Sequence, residues 1–396
     1  MVPKIRFEEF TANWKDQVLE DVCSVIMDGT HFSPKSKDGP KKYITSKNIR
    51  NEGMLLDDVA YISEEEHRAI YKKCPVQYGD VLLTKDGANT GNCCLNSLKE
   101  EFSLLSSVAV IRGKENSLKS SYLLQVLQSK RGQSKINDHI AGQAITRITL
   151  KKINEFSFSI PELDEQSKIV SFLSSIDEKI TLFNKQYELL CHYKKGMMQK
   201  IFSQELRFKD ENGEEYPEWN YDEISSLFSN KSKKYNPLSG VNYPCIELDC
   251  ISQGDGQLLT TLNSSQQQSI KNIFQEGDVL FGKLRPYLRK YILANFDGVC
   301  SSEIWVLKGI LMSNSYLYQF VQTDFFINLA NKSTGSKMPR ADWDTISSTF
   351  VYYPCLEEQS KIANVLSALD DKIAAKKAEL DKLKTWKQGL LQQMFV

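Results

Sequence analysis

The sequence predicts an α+β protein with two mixed domains, each followed by a long helix, and the two helices pairing as an antiparallel coiled coil. Three observations support this fold class: an internal repeat, a heptad pattern in both copies of its helical part, and short β-rich runs between them. The predicted order is a first domain (1–160), a helix (161–206), a connector with the second domain (207–353) and a second helix (354–396).

The repeat is strongest in the helical segments. PELDEQSKIVSFLSSIDEKI at 161–180 returns as PCLEEQSKIANVLSALDDKI at 354–373, and the match extends to about 16 identities over about 42 aligned positions. A weaker similarity precedes each copy, where VQYGDVLLTK at 76–85 resembles FQEGDVLFGK at 274–283. Further equivalent positions pair Trp14 with Trp219, Lys85 with Lys283, and Arg147 with Arg340.

Apolar residues recur in steps of four and three along both helical segments. A mean step of 3.5 residues over about four heptads is typical of a coiled-coil seam, and roughly 38 residues form a rod about 57 Å long. Lysine interrupts the pattern at Lys194, Lys376 and Lys387. The alternative is that each helix packs only on its own domain. The predicted seam residues are Ile169, Leu173, Ile176 and Ile180 in the first helix and Ile362, Leu366, Leu369 and Ile373 in the second.

Each domain is expected to be rich in short strands. Runs such as DVLLTK, VAVIRG, DVLFGK and EIWVLK are bounded by Gly, Asn and Asp, which is typical of strands and their turns. Amphipathic patterns predict short helices at 63–73, capped by Ser63, at 120–130 and at 314–331. The polar, turn-rich segment 207–220 is expected to connect the two halves.

The charge balance limits how this protein can bind nucleic acid. The 396 residues include 50 basic and 50 acidic side chains, so the net charge is zero. Binding through bulk positive charge is therefore excluded, and any contact with DNA must come from local patches. Nine cysteines without CxxC spacing, and the lack of an 18-residue apolar run, favour a reduced cytoplasmic protein without membrane spans.

The sequence does not match the catalytic motifs that it partly resembles. GDVLFGKL at 277–284 approaches a phosphate-binding loop, but Leu284 stands where Ser or Thr would hold magnesium. A lone GDG at 254–256 is explained by a turn, and YNPLSG at 235–240 lacks the second proline and the aromatic residue of an NPPY methyltransferase motif. The four histidines are scattered without metal-ligand spacing. The sequence therefore predicts no catalytic residue and no metal site in this chain.

Two sets of cations predict DNA-contacting loops. Residues 31–50 hold six cations against one anion, and the second half has a comparable set within 283–290 and 332–340. Such loops can position phosphates and read base edges, whereas the alternative for any one cluster is plain solvated surface. Arg285 is the strongest candidate because a guanidinium can bind guanine O6 and N7, its alternative being a structural ion pair. The predicted DNA contacts are Lys35, Lys41, Lys42, Lys47, Lys85 and Arg147 in the first domain and Lys283, Arg285, Tyr287, Lys337 and Arg340 in the second.

The helical segments PELDEQSKI…LSSIDEKI and PCLEEQSKI…LSALDDKI, each ending in KxGxxQxxF, resemble the central helical regions of type I restriction–modification specificity subunits. Residues 277–307 strongly resemble a target-recognition domain of that family, and residues 78–95 resemble one more loosely. This resemblance covers essentially the whole chain. It implies two target-recognition domains that read a bipartite, asymmetric DNA sequence, with the helical pair as the ruler for the spacer.

The resemblance also implies partners and cofactors. Double-stranded DNA, two methyltransferase (modification) subunits and restriction-translocase subunits are the expected partners, with no membrane. S-adenosylmethionine for adenine-N6 methylation would belong to the methyltransferase partner, and ATP and magnesium to the restriction partner, with no cofactor in this chain. Surface contacts to the methyltransferase subunits are expected at Gln166, Lys168, Gln359 and Lys361.

Two other functional classes compete with this one. A coiled-coil scaffold or regulatory interaction protein would use the same helices without reading DNA. A methyltransferase with its own catalytic domain is disfavoured because the NPPY and cofactor motifs are missing. Salt-dependent, sequence-selective DNA binding by the assembled complex would distinguish the specificity subunit from the scaffold.

Overall fold

The structure is a computed structural model, and the residues that it describes are 3–36, 38–140, 146–332 and 338–395. The chain divides into two compact units, the first made of residues 1–185 and 378–396 and the second of residues 186–377. Both units combine small sheets with helices, so the predicted α+β class is confirmed. Among the described residues, no helix is long and apolar enough to cross a membrane.

The first unit contains the strands of the first repeat and several short helices. The strands are β1 (Lys15–Val18), β2 (Cys23–Asp28), β3 (Lys41–Ile44), β4 (Ile49–Arg50), β5 (Gly53–Met54), β6 (Ala60–Ile62), β7 (Val81–Thr84), β8 (Cys93–Leu95), β9 (Ser103–Leu104), β10 (Val108–Gly113) and β11 (Ser157–Ile160). The short helices are α1 (Leu19–Val22), α2 (Glu64–Tyr71), α3 (Ser120–Gln128), α4 (Lys130–Asp138) and α5 (Leu150–Asn154). The first long helix is α6 (Leu163–Phe202).

The second unit contains the corresponding elements of the second repeat. The strands are β12 (Asn220–Glu223), β13 (Phe228–Ser229), β14 (Lys234–Tyr235), β15 (Pro244–Ile246), β16 (Leu262–Asn263), β17 (Lys271–Phe274), β18 (Val279–Gly282), β19 (Tyr291–Leu293), β20 (Gly298–Cys300), β21 (Ile304–Gly309) and β22 (Phe350–Tyr353). The short helices are α7 (Ile224–Leu227), α8 (Asn314–Phe320), α9 (Asp324–Ala330) and α10 (Trp343–Ser347). The second long helix is α11 (Leu356–Met394).

The two units share the strand order of their central sheet. The central sheet is β2-β10-β7-β8 in the first unit and β13-β21-β18-β19 in the second, with antiparallel neighbours throughout. A second sheet, β6-β3-β9 or β14-β17-β20-β15-β16, contains one parallel pair in each unit. A two-stranded ribbon, β1 with β11 or β12 with β22, joins the start of each domain to the strand before its long helix. The repeat in sequence is therefore a repeat in fold.

The central strands are buried on both faces because each lies between two apolar clusters. Alternate residues of a strand point to opposite faces, so Leu82 of β7 joins one cluster while Val81 and Leu83 join another. In β18, Leu280 likewise joins one cluster while Val279 and Phe281 join another. This arrangement explains why DVLLTK and DVLFGK carry continuous apolar runs instead of an alternating pattern.

The Gly-Asp pair before each of these strands builds a turn. Gly79 and Gly277 have φ angles of 85° and 84°, in the left-handed region that favours glycine. Asp80 and Asp278 then accept a hydrogen bond from the backbone N–H three residues earlier, at 2.7 and 2.8 Å. Each carboxylate also pairs with a cation of the neighbouring strand. The repeated Gly-Asp motif is therefore structural.

The predicted short helices form, with one correction. Helix α2 begins after Ser63, whose hydroxyl accepts a hydrogen bond from the Glu66 N–H, as predicted. The single helix expected at 314–331 is instead divided into α8 and α9. The reason is Thr323, which adopts an extended conformation and caps α9 by accepting a hydrogen bond from the Phe326 N–H.

The long helices α6 and α11 contain 40 and 39 residues. Within the first unit, Ile169 near the start of α6 shares an apolar cluster with Met394 at the end of α11. Within the second unit, Ile201 near the end of α6 shares a cluster with Ile362 near the start of α11. Each unit thus pairs one end of α6 with the opposite end of α11, as antiparallel helices require.

The predicted seam residues are buried to different degrees. Ile180, Leu369 and Ile373 are only half-buried. The clusters that enclose the remaining seam residues also contain side chains of the sheets and short helices, so the seam packs on the domains as well as on the other helix. The buried seam residues are Ile169, Leu173, Ile176, Ile362 and Leu366.

Two of the lysines that interrupt the heptads join the helices. In the first unit, the Lys387 Nζ lies 2.6 Å from an Asp177 carboxylate oxygen. In the second unit, the Lys194 Nζ lies 2.6 Å from Asp370, and burial lowers the pKa of this lysine. A cation at a seam position with its own carboxylate partner fixes the register of a helix pair.

Candidate nucleic-acid interface

Three segments of the first unit meet where β7 ends. The Lys85 N–H donates to the Ser107 carbonyl (2.9 Å), and the Ile148 N–H donates to the Lys85 carbonyl (2.8 Å). The Gly87 N–H donates to the Thr146 carbonyl (2.9 Å). We call this place the strand-end edge, which in the first unit consists of residues 85–91, Ser107 and 146–148.

The second unit forms the same edge through equivalent bonds. The Lys283 N–H donates to the Glu303 carbonyl (2.9 Å), and the Ala341 N–H donates to the Lys283 carbonyl (2.8 Å). The Arg285 N–H donates to the Pro339 carbonyl (2.8 Å). The strand-end edge of the second unit therefore consists of residues 283–289, Glu303 and 339–341.

Two of the predicted arginines occupy corresponding places on this edge. Arg147 forms a β-bridge with Asp86, and Arg340 forms one with Leu284, so their alignment in the repeat is confirmed. Their side chains are 56% and 54% exposed. The Arg147 Nε lies 3.3 Å from Asp86, and the Arg340 Nε lies 2.9 Å from Glu303. Both guanidinium groups are oriented by a carboxylate and still face solvent.

Lys85, a predicted DNA contact, is instead a buried structural cation. The residue is 1% exposed, and its Nζ lies 3.2 Å from Asp28 and 3.1 Å from Asp86. The prediction of a direct contact is wrong because two carboxylates, from the end of β2 and from the turn after β7, enclose the ammonium group. Its counterpart Lys283 is half-buried, so the two equivalent lysines differ in environment.

The basic segment 31–50 of the first unit, which we call the basic loop, is less positive than its sequence indicates. Lys41 and Lys42 face carboxylates at 3.9 and 2.5 Å. The hydrogen bond to Glu100 raises the pKa of Lys42. Lys35 and Lys47 are exposed. Lys35 and Lys47 can therefore meet a phosphate directly, whereas Lys41 and Lys42 would first have to leave a carboxylate.

The second unit presents its candidates on the turn after β18. Arg285 and Tyr287 are exposed there. The Arg285 guanidinium forms no hydrogen bond or ion pair with the part of the chain that the structure describes, so the alternative of a structural ion pair finds no partner there. Lys337, also a predicted contact, lies outside the described residues.

Gln166 and Gln359, predicted as surface contacts to a partner, are fully buried within their own units. The Gln359 side chain accepts a hydrogen bond from the Ser313 N–H (2.8 Å) and donates to the carbonyls of Leu311 and Pro354 (both 3.0 Å). Gln166 makes the three equivalent bonds, each 2.9 Å long. The prediction is wrong for both glutamines, because their amides tie the start of each long helix to the loop before α3 or α8.

The neighbouring lysines keep some access to solvent. The Lys168 side chain is 53% exposed, with its Nζ 3.4 Å from Glu9. Lys361 is half-buried, and its Nζ donates to the Lys209 carbonyl (2.6 Å). A contact of either lysine with a partner stays a prediction.

Two buried glutamates were missed by the sequence reasoning. Glu358 accepts hydrogen bonds from the Trp219 indole (3.0 Å) and from the Arg207 guanidinium (2.7 Å). Glu165 holds the equivalent tryptophan and arginine of the first unit, which are Trp14 and Arg6. The alignment of the two tryptophans and the shared Glu-Gln pair were the signal that could have identified these contacts.

The cysteines and other metal-ligating groups form no site in the described parts of the chain. Within those residues, no group of three or more His, Cys, Asp or Glu could hold a metal ion. All nine cysteines are free thiols. Burial raises the pKa of Cys74 and Cys94 to about 12, so these thiols are protonated and weakly nucleophilic at neutral pH.

A cavity of about 760 Å³ lies within the second unit beside the turn at Gly254 and Gly256. These glycines have φ angles of 81° and 67°, which confirms the prediction that GDG marks a turn. The charged residues that line the cavity balance in sign, because Lys194, Lys195, Arg289 and Lys377 face Asp255, Asp324, Asp370 and Asp371. The cavity therefore lacks the positive potential by which proteins hold nucleic acid.

Comparisons with known proteins give a consistent result. A model of the type I restriction modification DNA specificity domain matches the chain twice, at residues 11–191 and 210–385. The type I restriction enzyme MjaVIII specificity subunit of Methanocaldococcus jannaschii is 25% identical, over 81% of this chain and 79% of that protein. The putative MjaX specificity subunit of the same organism is 23% identical, over 98% and 94%.

The fold also has a solved counterpart. The S subunit of a type I restriction–modification system from M. genitalium aligns with a TM-score of 0.61 at 16% identity, covering 100% of this chain and 99% of that one. At this level of identity the likeness concerns the fold alone. None of these similarities favours the scaffold alternative.

Proposed function

Because this chain belongs to the family of type I restriction–modification DNA specificity subunits, we propose that its two repeats each read one half of a split, asymmetric DNA sequence. The observation that carries this proposal is the strand-end edge. Both units build it with equivalent backbone hydrogen bonds, yet they place different side chains on it. One scaffold with two sets of side chains suits two half-sites of different sequence.

The exposed side chains of the strand-end edge and of the basic loop supply the contacts. Exposed lysines such as Lys35 and Lys47 position phosphates, which sets the register of the duplex. Arg147, Arg285 and Arg340 can reach base edges, where a good bidentate contact contributes about 1 to 3 kcal/mol of discrimination. A few such contacts in each half-site are enough for a rare target. The zero net charge of the chain implies that partner subunits share the phosphate contacts.

The long helices carry the second part of the proposal. Helices α6 and α11 set the length of the unread spacer and bind two modification subunits, with Lys168 and Lys361 as candidate contacts. Those subunits use S-adenosylmethionine for adenine-N6 methylation and extrude the target base. Restriction-translocase subunits add ATP- and magnesium-dependent cleavage in the cytoplasm. This chain itself supplies recognition and no catalytic group.

Salt-dependent binding of the assembled complex tests this proposal against a scaffold role. The complex of this chain with its modification subunit is titrated against three duplexes. One carries the intact motif that the complex methylates, and each of the other two has one half-site scrambled. We expect the intact motif to bind at least about a thousandfold more tightly, with log K falling linearly as log salt rises. An assembled complex that binds all three duplexes equally would support the scaffold and contradict DNA reading by this chain.

A further inference from the structure

The turn after the central strand is closed by an equivalent backbone hydrogen bond in both units. In the first unit it is closed by the Thr84 N–H, which donates to the Asn92 carbonyl (2.8 Å). In the second unit the Gly282 N–H donates to the Lys290 carbonyl at the same distance. The sequences differ almost completely, since KDGANTG at 85–91 corresponds to KLRPYLR at 283–289.

Both turns contain two left-handed residues at the same positions. Gly87 and Gly91 have φ angles of 99° and 100° in the first unit. Arg285 and Arg289 have φ angles of 53° and 51° at the equivalent positions of the second. A left-handed conformation costs a non-glycine residue conformational free energy that glycine does not lose. The second unit therefore carries two arginines where glycine would be the less strained choice.

The structure accounts for one of these arginines. The Arg289 guanidinium forms an ion pair with Asp324 of α9, and its carbonyl accepts a hydrogen bond from the Gly254 N–H (3.0 Å). Arg289 thus fastens the turn to the rest of its own unit. Arg285 has no such partner in the described part of the chain, and its side chain is exposed.

We propose that the turn position shared by Gly87 and Arg285 determines target specificity. In the second unit Arg285 presents its guanidinium to the O6 and N7 of a guanine in the major groove. In the first unit Gly87 presents only backbone, and the space around its Cα is open, so this turn can approach the duplex closely without contacting a base through a side chain. Side-chain reading in the first half-site falls to other groups of that edge, such as Arg147. This inference rests on the proposed DNA-reading function.

The inference is tested with the variant Arg285→Gly, which gives the second unit the same residue type that the first unit has at the equivalent position, Gly87. The assembled complex is assayed with duplexes in which each base pair of the motif is changed in turn. Discrimination at one G·C pair of the second half-site should fall about 5- to 150-fold, while the first half-site is read as before. The melting temperature of the protein should stay the same or rise, because glycine relieves the left-handed backbone.

Two further variants separate reading from folding. Arg285→Asn keeps a residue that tolerates the left-handed conformation, and it should lose the same G·C preference with the turn intact. Asp324→Asn weakens the ion pair to Arg289 without changing the backbone of the turn, so it should lower the melting temperature and leave the recognised bases unchanged.

Several results would overturn the inference. Uniformly weaker binding to all duplexes, with a salt slope reduced by about one, would make Arg285 a phosphate contact. Loss of both half-sites together with a lower melting temperature would make it a structural residue. Unchanged recognition by both Arg285 variants would reject the inference alone, whereas a wild-type complex without any split motif would reject the proposed function as well.

Discussion

Replacing Gln359 by alanine should destabilise the second unit by about 3 kcal/mol. The side chain is fully buried and forms three hydrogen bonds, to the Ser313 N–H and to the carbonyls of Leu311 and Pro354. A typical intramolecular hydrogen bond contributes about 1 kcal/mol net, so three give about 3 kcal/mol. Alanine would leave the buried Pro354 carbonyl without this bond, whereas the Ser313 N–H and the Leu311 carbonyl are only part-buried and can bond to water, so about 3 kcal/mol is the expected size of the loss.

Native-state hydrogen exchange is the suitable assay, since unfolding of a chain with two units need not be two-state. Amides of α8 and of the start of α11 should exchange roughly a hundredfold faster in Gln359→Ala, as about 3 kcal/mol implies. Amides of α3 in the first unit provide the internal control and should be unchanged. The variant Gln166→Ala should show the reverse pattern, because Gln166 makes the equivalent bonds in the first unit.

Lys361→Ala is the matched control for a partner-binding role, because this lysine is one helical turn or less from Gln359 and is partly exposed. It should leave exchange in α8 almost unchanged, and we expect it to weaken binding of the modification subunit because Lys361 is a proposed contact. A loss of less than about 1 kcal/mol in Gln359→Ala, together with weakened binding of the modification subunit, would refute the structural role derived for this glutamine.

Three further predictions follow from buried or repeated groups. Lys85→Met should lower the free energy of unfolding of the first unit by about 3 kcal/mol, because Asp28 and Asp86 lose their buried counter-ion. In thermal denaturation the control Lys283→Met should show a smaller loss, because Lys283 is only half-buried, and the opposite order would contradict the assignment of Lys85 as a structural cation. Burial raises the pKa of the Cys94 thiol from 9 to about 12, so the unfolded chain releases this proton first and stability falls as pH rises above 9. Because burial also raises the pKa of other thiols such as Cys74, Cys94→Ala should make the alkaline loss of stability in urea unfolding smaller without abolishing it, and an unchanged slope would exclude this thiol as a contributor. Deleting one heptad from both α6 and α11 should change the spacer length of the methylated motif or abolish methylation, and an unchanged spacer would reject the helices as a ruler.

Periodicity and self-similarity predicted much of the fold. The heptads located α6 and α11, and the repeat correctly aligned Arg147 with Arg340 on the strand-end edge. The Ser63 cap of α2 also formed as predicted. These features succeed because they depend on neighbouring residues or on comparison of the chain with itself.

Contacts between distant segments could not be predicted in the same way. Lys85 looks like a free basic residue in the sequence, and only the fold brings Asp28 and Asp86 around it. Gln166 and Gln359 look like exposed polar positions at the start of a helix, but a loop from elsewhere in each unit covers them. Such burial depends on tertiary packing, which composition and spacing do not encode locally.

The left-handed turn is an intermediate case. Gly87 and Gly91 are typical of positive φ angles, whereas nothing in LRPYLR indicates that Arg285 and Arg289 adopt them. The alignment of the repeats places these arginines over the glycines and could have revealed the strained positions. The recognised bases could not be predicted from the sequence, because they depend on contacts between exposed side chains and DNA.

DNA reading by the two repeats is tested most directly by co-expressing this chain with its modification subunit in a host without other adenine methylation. The DNA is then sequenced for N6-methyladenine by a single-molecule method. If each repeat reads one half-site, methylation will appear at one split motif, with two defined half-sites of different sequence and a spacer of constant length. A complex that assembles and leaves the DNA unmethylated, or that methylates an unsplit motif, would contradict DNA reading by the two repeats.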